Sequence, residues 1–230
     1  MATLQAITKQ VYRISAGGVN VYLLWTPNDL VLIDTGYPDD GHAVLNGLSG
    51  LGKKPTDLTH ILITHCHLDH AGNLATLQRL TDAPTYMHSL DAEMVQAGNA
   101  KRESTHAAPG LMSRWLYNST IRDLPTTIEP ARVDHLIQDG ERLPIDSGIQ
   151  VIHIPGHSAG QVAFLWENVL FAADIAVNVM TLQQMPSIED LDIHRESERK
   201  LFAFRFDVAC FGHGRPLNSN AASRFQRHFG

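Results

Sequence analysis

One stretch limits what this chain can become. Residues 58–73 read Leu-Thr-His-Ile-Leu-Ile-Thr-His-Cys-His-Leu-Asp-His-Ala-Gly-Asn. Leu58, Thr59, Ile61, Leu62 and Ile63 are apolar or β-branched and predict a buried strand that runs out at Thr64. His65, His67, Asp69 and His70 follow within six positions. Imidazole and carboxylate are zinc-type ligands. Any one of these histidines alone would read as an ordinary core or surface residue. Four such groups crowded at the end of a strand read as a metal site.

The rest of the chain supplies the frame. Its 230 residues are enough for one large domain or two fused halves, with material for a core. A hydrophobic content of 43% and a charged content of 18% describe a soluble globular protein, not a disordered one. The net charge of −6, without a basic run, excludes the electrostatic footprint of a nucleic-acid binder. No apolar run reaches the roughly eighteen residues of a membrane span. The N-terminus lacks a basic segment followed by an apolar one, and the two cysteines make no disulfide framework, so the expected location is the cytoplasm. The expected partner is a small-molecule substrate; the oligomeric state is not legible.

Taken in order, Val11–Ser15, Val19–Trp25 and Leu30–Asp34 read as strands, the third running into Asp34-Thr35-Gly36. That tripeptide is turn-forming, and equally a place for an acid with a task. Residues 40–51 and 73–80 read as helices, and 84–88 as a strand with His88 an ordinary residue at its end. Two helices are expected near 90–99 and 108–121, the second carrying Leu111, Met112, Trp115, Leu116 and Tyr117. Strands resume at 133–137, 149–154, 161–166 and 169–173. A helix over 187–203 has Ser187 and Asp190 as its capping pair, Val208–Phe211 is a last strand, and a short helix closes the chain. Polar landmarks sit at strand ends in both halves: His157, Asp174 and His213. Two packed sheets with a site along their shared edge follow from that pattern.

At these residues the chain resembles the metallo-β-lactamase-fold hydrolases. His65-Cys66-His67-Leu68-Asp69-His70 matches their His-x-His-x-Asp-His signature, and Asp34, His157, Asp174 and His213 match the remaining landmarks in order. The likeness covers nearly the whole chain. It implies an α/β fold of αββα type, with two mixed β-sheets face to face, helices on the outer faces and the metal site at the sheet edge. It implies two divalent metal ions, zinc first, with manganese or iron as substitutes. His65, His67 and His157 would hold one, Asp69, His70 and His213 the other, and Asp174 would bridge them. Asp34 would orient a ligand histidine by hydrogen bond. The implied reaction is hydrolysis by a metal-bridging hydroxide, with Asp69 in the reacting centre.

Within that family the true β-lactamases usually lack an acid at the position of Asp174, and the nuclease branches carry extra domains or basic arms. Glyoxalase II proper has a longer C-terminal helical region. The expected type is therefore a lactonase or glyoxalase II-like thioesterase. Residues 90–128 would form a helical cap in which Met112, Trp115 and Tyr117 line the substrate pocket. The alternatives are a mononuclear iron persulfide-type dioxygenase on the same fold and a non-catalytic metal- or ligand-binding member. A serine hydrolase is a further rival, since Gly156-His157-Ser158-Ala159-Gly160 fits a nucleophile elbow. It needs a helix after the elbow, and Gln161–Trp166 reads as a strand, so Ser158 is expected to steady the turn that carries His157. Cys66 and Cys210 are expected to be structural.

Overall fold

The computed structural model describes residues 3–39 and 41–230. Seven strands form the first sheet: β1 (Thr3–Ala6), β2 (Val11–Ala16), β3 (Val19–Trp25), β4 (Leu30–Ile33), β5 (His60–Leu62), β6 (Thr85–His88) and β7 (His135–Ile137). They lie side by side in chain order. β1 to β4 are antiparallel and β4 to β7 are parallel. Five strands form the second sheet: β8 (Arg142–Leu143), β9 (Ile149–His153), β10 (Val162–Trp166), β11 (Val169–Ala173) and β12 (Val208–Phe211). β8 to β11 are antiparallel, and β12 joins β11 in parallel.

Alternation along these strands builds three apolar layers. Strand side chains point alternately to the two faces of a sheet. In β3, Tyr22 and Leu24 turn inward to meet the second sheet, whereas Val21 and Leu23 turn outward. The inner layer packs Val31, Ile33 and Leu62 against Val151, Phe164, Phe171 and Cys210. Outside the first sheet, Leu32, Ile61 and Met87 are covered by helices α1 (His42–Gly50), α2 (Leu68–Ala71), α3 (Leu74–Leu80) and α4 (Ser89–Gln96). Outside the second sheet, Ile152, Leu170 and Phe211 are covered by residues that follow a later helix, Leu201, and by Phe225 of the final one. Helix, sheet, sheet, helix is the αββα order expected.

Strand direction fixes where the landmarks go. β4 and β5 are parallel, so Asp34 and His65 leave the first sheet at the same edge. β9 is antiparallel to β10 and β10 to β11, so β9 and β11 point the same way, as does β12. His157, Asp174 and His213, just beyond these strands, therefore leave the second sheet at one edge too.

The structure departs from the sequence reading in several places. β5 is shorter than the apolar run, because His65 onward turns away to start α2. The expected second helix of 90–128 is α5 (Leu111–Leu116), continued by one π turn over Tyr117–Ile121. Ser187 does not cap a helix. Ser187–Ile188 is a short strand paired with His106–Ala107, and α6 (Leu191–Lys200) begins later, capped by Asp190 alone through the N–H groups of Asp192 and Ile193. A ribbon of Val177–Asn178 with Leu182–Gln183 was also not foreseen. The closing helix is α7 (Ala221–Phe229). Among the described residues no helix is long and apolar enough to cross a membrane.

Candidate metal centre

The loop after β5 carries His65 and His67, and α2 carries Asp69 and His70 within its single turn. Asp34 directly follows β4 in a left-handed conformation, φ 62°, which aspartate tolerates better than most residues. Ala173, just ahead of Asp174, is left-handed too, at φ 50°, where β11 slips register against β12. Such non-glycine outliers cluster where function holds the backbone. Gly212 precedes His213, and a Cβ there would collide with the Asp174 carboxylate and the His70 ring. Only glycine lets β12 end so close to the acid.

The seven sequence-predicted residues meet at one point. His67 Nδ1 lies 3.1 Å from His65 Nε2 and 2.9 Å from His157 Nε2. His213 Nε2 lies 3.1 Å from Asp69 Oδ2 and 3.3 Å from Asp174 Oδ2. The same Asp174 oxygen is 3.4 Å from His157 Nε2 and 3.6 Å from His70 Nε2, so it faces both groups of imidazoles.

Hydrogen bonds on the far side of four of the five rings decide which nitrogen faces the centre; the far nitrogen of the fifth, His67 Nε2, is buried without a partner. His157 Nδ1–H donates to the Ser187 carbonyl at 2.9 Å, and His213 Nδ1–H to the Gly18 carbonyl at 3.0 Å. His70 Nδ1–H donates to Asp34 Oδ2 at 2.8 Å. The Thr64 hydroxyl donates to Asp34, so it accepts from His65 Nδ1–H at 3.0 Å. That leaves Nε2 facing inward in all four rings, toward other imidazoles in His65 and His157 and toward carboxylate oxygens in His70 and His213. Buried lone pairs facing each other repel unless a cation lies among them. His70 Nε2 and Asp174 Oδ1 are buried without any hydrogen-bond partner. The donor set of imidazole and carboxylate suits zinc, manganese or iron. The residues thus fit the divalent metal that the sequence implied.

The electrostatics divide the centre in two. Burial, with the neighbouring rings, pushes His65 well below its ordinary value and His157 down to about 3, so these rings are neutral ligand forms. For His70 and His213 burial acts the same way, but Asp174 and its neighbouring acids outweigh it and hold both well above the ordinary value. Burial would raise the Asp174 carboxyl, yet His213 and His70 hold it well below the usual range. One half is a neutral three-nitrogen cluster and the other is an acid-rich cluster that calls for positive charge.

Not every expected contact is made. Trp115 is 62% and Met112 66% exposed on α5. Tyr117 gives its hydroxyl to the Thr105 carbonyl at 2.9 Å. Among the described residues none of the three hydrogen-bonds or stacks with the seven. Ser158 is no nucleophile at an elbow: its turn joins β9 to β10, and its hydroxyl donates to Asp91 at 2.5 Å. Cys66 and Cys210 are buried and unpaired, and burial pushes both thiols up, away from the reactive thiolate. His88 caps α4 by accepting from the Leu90 N–H and stacks on His153 at 4.1 Å.

Sequence reasoning missed Tyr37, Asp91 and Arg102. Tyr37 ends the Asp34-Thr35-Gly36 turn, and burial with the charges of Asp69 and Asp174 lifts its phenol to about 12. Its place after that turn was the available signal. Asp91 was hidden as one charged residue in an ordinary helix.

Comparison with known proteins follows the geometry. Residues 14–213 match the family model described as the metallo-beta-lactamase superfamily. The probable metallo-hydrolase YflN of Bacillus subtilis (strain 168) is 25% identical over 229 residues, spanning 91% of this chain and 85% of its own. An atrochrysone carboxyl ACP thioesterase of Emericella nidulans is 24% identical over 221 residues, 93% of this chain and 58% of its own. A hydroxyacylglutathione hydrolase of Shewanella sp. (strain ANA-3) is 28% identical over 138 residues, 60% of this chain and 40% of its own. The chain spans only about half the length of several curated relatives it matches, 56% and 58% in two cases. Among solved structures, the Rm3 metallo-beta-lactamase superposes with a TM-score of 0.72 at 22% identity, covering 91% of this chain and 77% of that one.

Proposed function

The chain belongs to the metallo-beta-lactamase superfamily, and from that premise we propose a dinuclear metallo-hydrolase that cleaves a small ester-like substrate, a thioester or a lactone. The observation that carries this reading is the convergence of the imidazole lone pairs with the Asp69 and Asp174 carboxylates at one buried point. His65, His67 and His157 would hold one ion, Asp69, His70 and His213 the second, and Asp174 would lie between. A divalent metal held there, zinc in our reading, would supply a water acidic enough to ionise near neutral pH and a Lewis acid for the scissile carbonyl.

The chain's own residues do the rest. Asp34 holds the His70 ring with its Nε2 toward the centre. Gly18 and Ser187 hold His213 and His157 in the same way through backbone carbonyls. Burial and the charges of Asp69 and Asp174 keep Tyr37 a neutral phenol. Residues 90–128 form the cap in this reading, and exposed Met112 and Trp115 give it an apolar surface for the acyl or leaving group. Tyr117 braces the cap through Thr105. A thioester fits the activity for which the Emericella relative is named. Two unpaired cysteines suit the reducing cytoplasm.

The test is metal analysis of the purified protein with a panel of thioester, lactone, phosphodiester and β-lactam. Two equivalents of metal per chain and turnover of the thioester or lactone are expected. A metal-free protein, or a His65→Ala variant with full activity, would sink the assignment.

A further inference from the structure

Beneath the three-histidine cluster lies a charged group that the metal reading does not use. Asp91, in the first turn of α4, is fully buried. Its Oδ2 accepts from the Cys66 N–H at 3.0 Å and from the Ser158 hydroxyl at 2.5 Å. Its Oδ1 accepts from the Gly160 N–H at 2.9 Å and pairs with Arg102 Nη2 at 2.8 Å. A carboxylate offers about four acceptor positions, so this one is saturated. Burial would raise the Asp91 carboxyl, but the Arg102 charge and the bonds from Ser158 and Cys66 win and hold it low.

The donors come from two separate loops. Cys66 lies between His65 and His67, and Ser158 and Gly160 directly follow His157. One carboxylate thus ties the loop carrying two of the imidazoles to the loop carrying the third. A Cβ on Gly160 would fall 2.6 Å from Asp91 Cγ, so glycine is needed for the second loop to reach the acid. Arg102 completes the tie. Its Nη1 donates to Ser158 Oγ at 3.1 Å and to Glu189 Oε1 at 3.3 Å, and its Nη2 donates to the Leu90 carbonyl at 2.6 Å. Glu189 in turn accepts from the Ala159 N–H at 3.0 Å, and its own N–H donates to the Gly156 carbonyl.

We propose that Asp91, locked by Arg102, is the positioning residue that sets the spacing of His65, His67 and His157 and so the affinity of that half of the centre for metal. The inference rests on the metal-centre reading. It also gives the cap a physical link to the metals, because Arg102 lies between α4 and α5. Breaking a buried charge pair leaves its partner uncompensated, and both loops would relax. Groups that orient metal ligands typically carry 10–100-fold in affinity.

The experiment titrates the metal-free full chain with zinc against a chromophoric chelator. Wild type is expected to take two equivalents. Asp91→Asn should weaken one of them about 10–100-fold and leave the other within about twofold. On a His65→Ala background, where the three-histidine half is already lost, Asp91→Asn should change nothing further. Arg102→Lys, which keeps the charge, should recover most of what Arg102→Met loses. Unchanged affinities in Asp91→Asn, equal weakening of both equivalents, or a further loss on the His65→Ala background would overturn the proposal. If Asp91→Asn does not fold, Ser158→Ala removes a single donor and should weaken the same equivalent about 3–10-fold; wild-type affinity there overturns the proposal equally. A wild type that takes up no zinc would remove the metal-centre reading and this inference with it.

Discussion

Asp34→Asn is the sharpest probe of the other half of the centre. The carboxylate is buried, with Oδ2 receiving His70 Nδ1–H at 2.8 Å and Oδ1 receiving the Thr64 N–H at 2.8 Å. Asparagine keeps the shape and tolerates the left-handed φ of 62°, so backbone strain does not confound the change. Its carbonyl oxygen can still accept from Thr64. Its NH2 group then faces His70 Nδ1, donor against donor. The ring escapes by moving its proton to Nε2, the atom aimed at Asp69 and Asp174, which takes away the lone pair a metal needs. A hydrogen bond to a charged group is worth about 1.5–3 kcal/mol. At about 1.4 kcal/mol per tenfold, that is a loss of roughly 10–100-fold, the range seen for groups that orient ligands. Zinc competition should show one equivalent weakened by that factor. Adding Asp91→Asn should then weaken the remaining equivalent independently. Wild-type affinity for both equivalents in Asp34→Asn would refute the tautomer argument.

Other consequences are open to simpler measurements. Trp115→Ala should leave stability within about 0.5 kcal/mol, because the side chain is 62% exposed, while kcat/KM for an accepted thioester or lactone falls about tenfold; an unchanged kcat/KM for every accepted substrate would remove the cap from the substrate pocket. The acid limb of stability should carry the signature of Asp91. Its folded carboxyl is held below the unfolded value of about 3.9, so its stabilising share is fully present above that pH and is lost as pH falls through the folded value. In metal-free protein the stability gap between wild type and Asp91→Asn should therefore narrow from about pH 5 downward, and a gap independent of pH in urea melts would contradict this.

Legibility in the sequence followed the range of the interactions. His65 to His70 could be read because their ligand types are adjacent in sequence. His157, Asp174 and His213 are each a single polar residue at a strand end, and only their order beside the first motif gave them meaning. The long strands were visible through period-two alternation, as in β3, where Val21 and Leu23 face one layer and Tyr22 and Leu24 the other. The pairing of Ser187–Ile188 with His106–Ala107 was not, since two residues carry no period and the partner lies far along the chain. Local chemistry marks Ser187 as a cap, but its carbonyl is engaged by His157 in a contact of sequence separation 30. Asp91 escaped for the same reason: all that marks it is the company it keeps from Cys66, Arg102, Ser158 and Gly160.

This division has a consequence for how such a site can vary. The candidate ligands leave β5, β9, β11 and β12 at one edge because strand direction puts them there, and four of the five rings, all but His67, are then fixed by a backbone carbonyl, Thr64 or Asp34. None of those constraints passes through α5, whose side chains include no buried residue. The surface around Leu111, Met112 and Trp115 can therefore change without moving an imidazole, so long as Arg102 keeps its place on Asp91. If residues 90–128 line the substrate pocket as proposed, substrate preference is free to drift on their exposed part while the part that reaches Asp91 is held. The same segment then contains the least and one of the most constrained stretches of the site, and the boundary between them lies between Arg102 and α5.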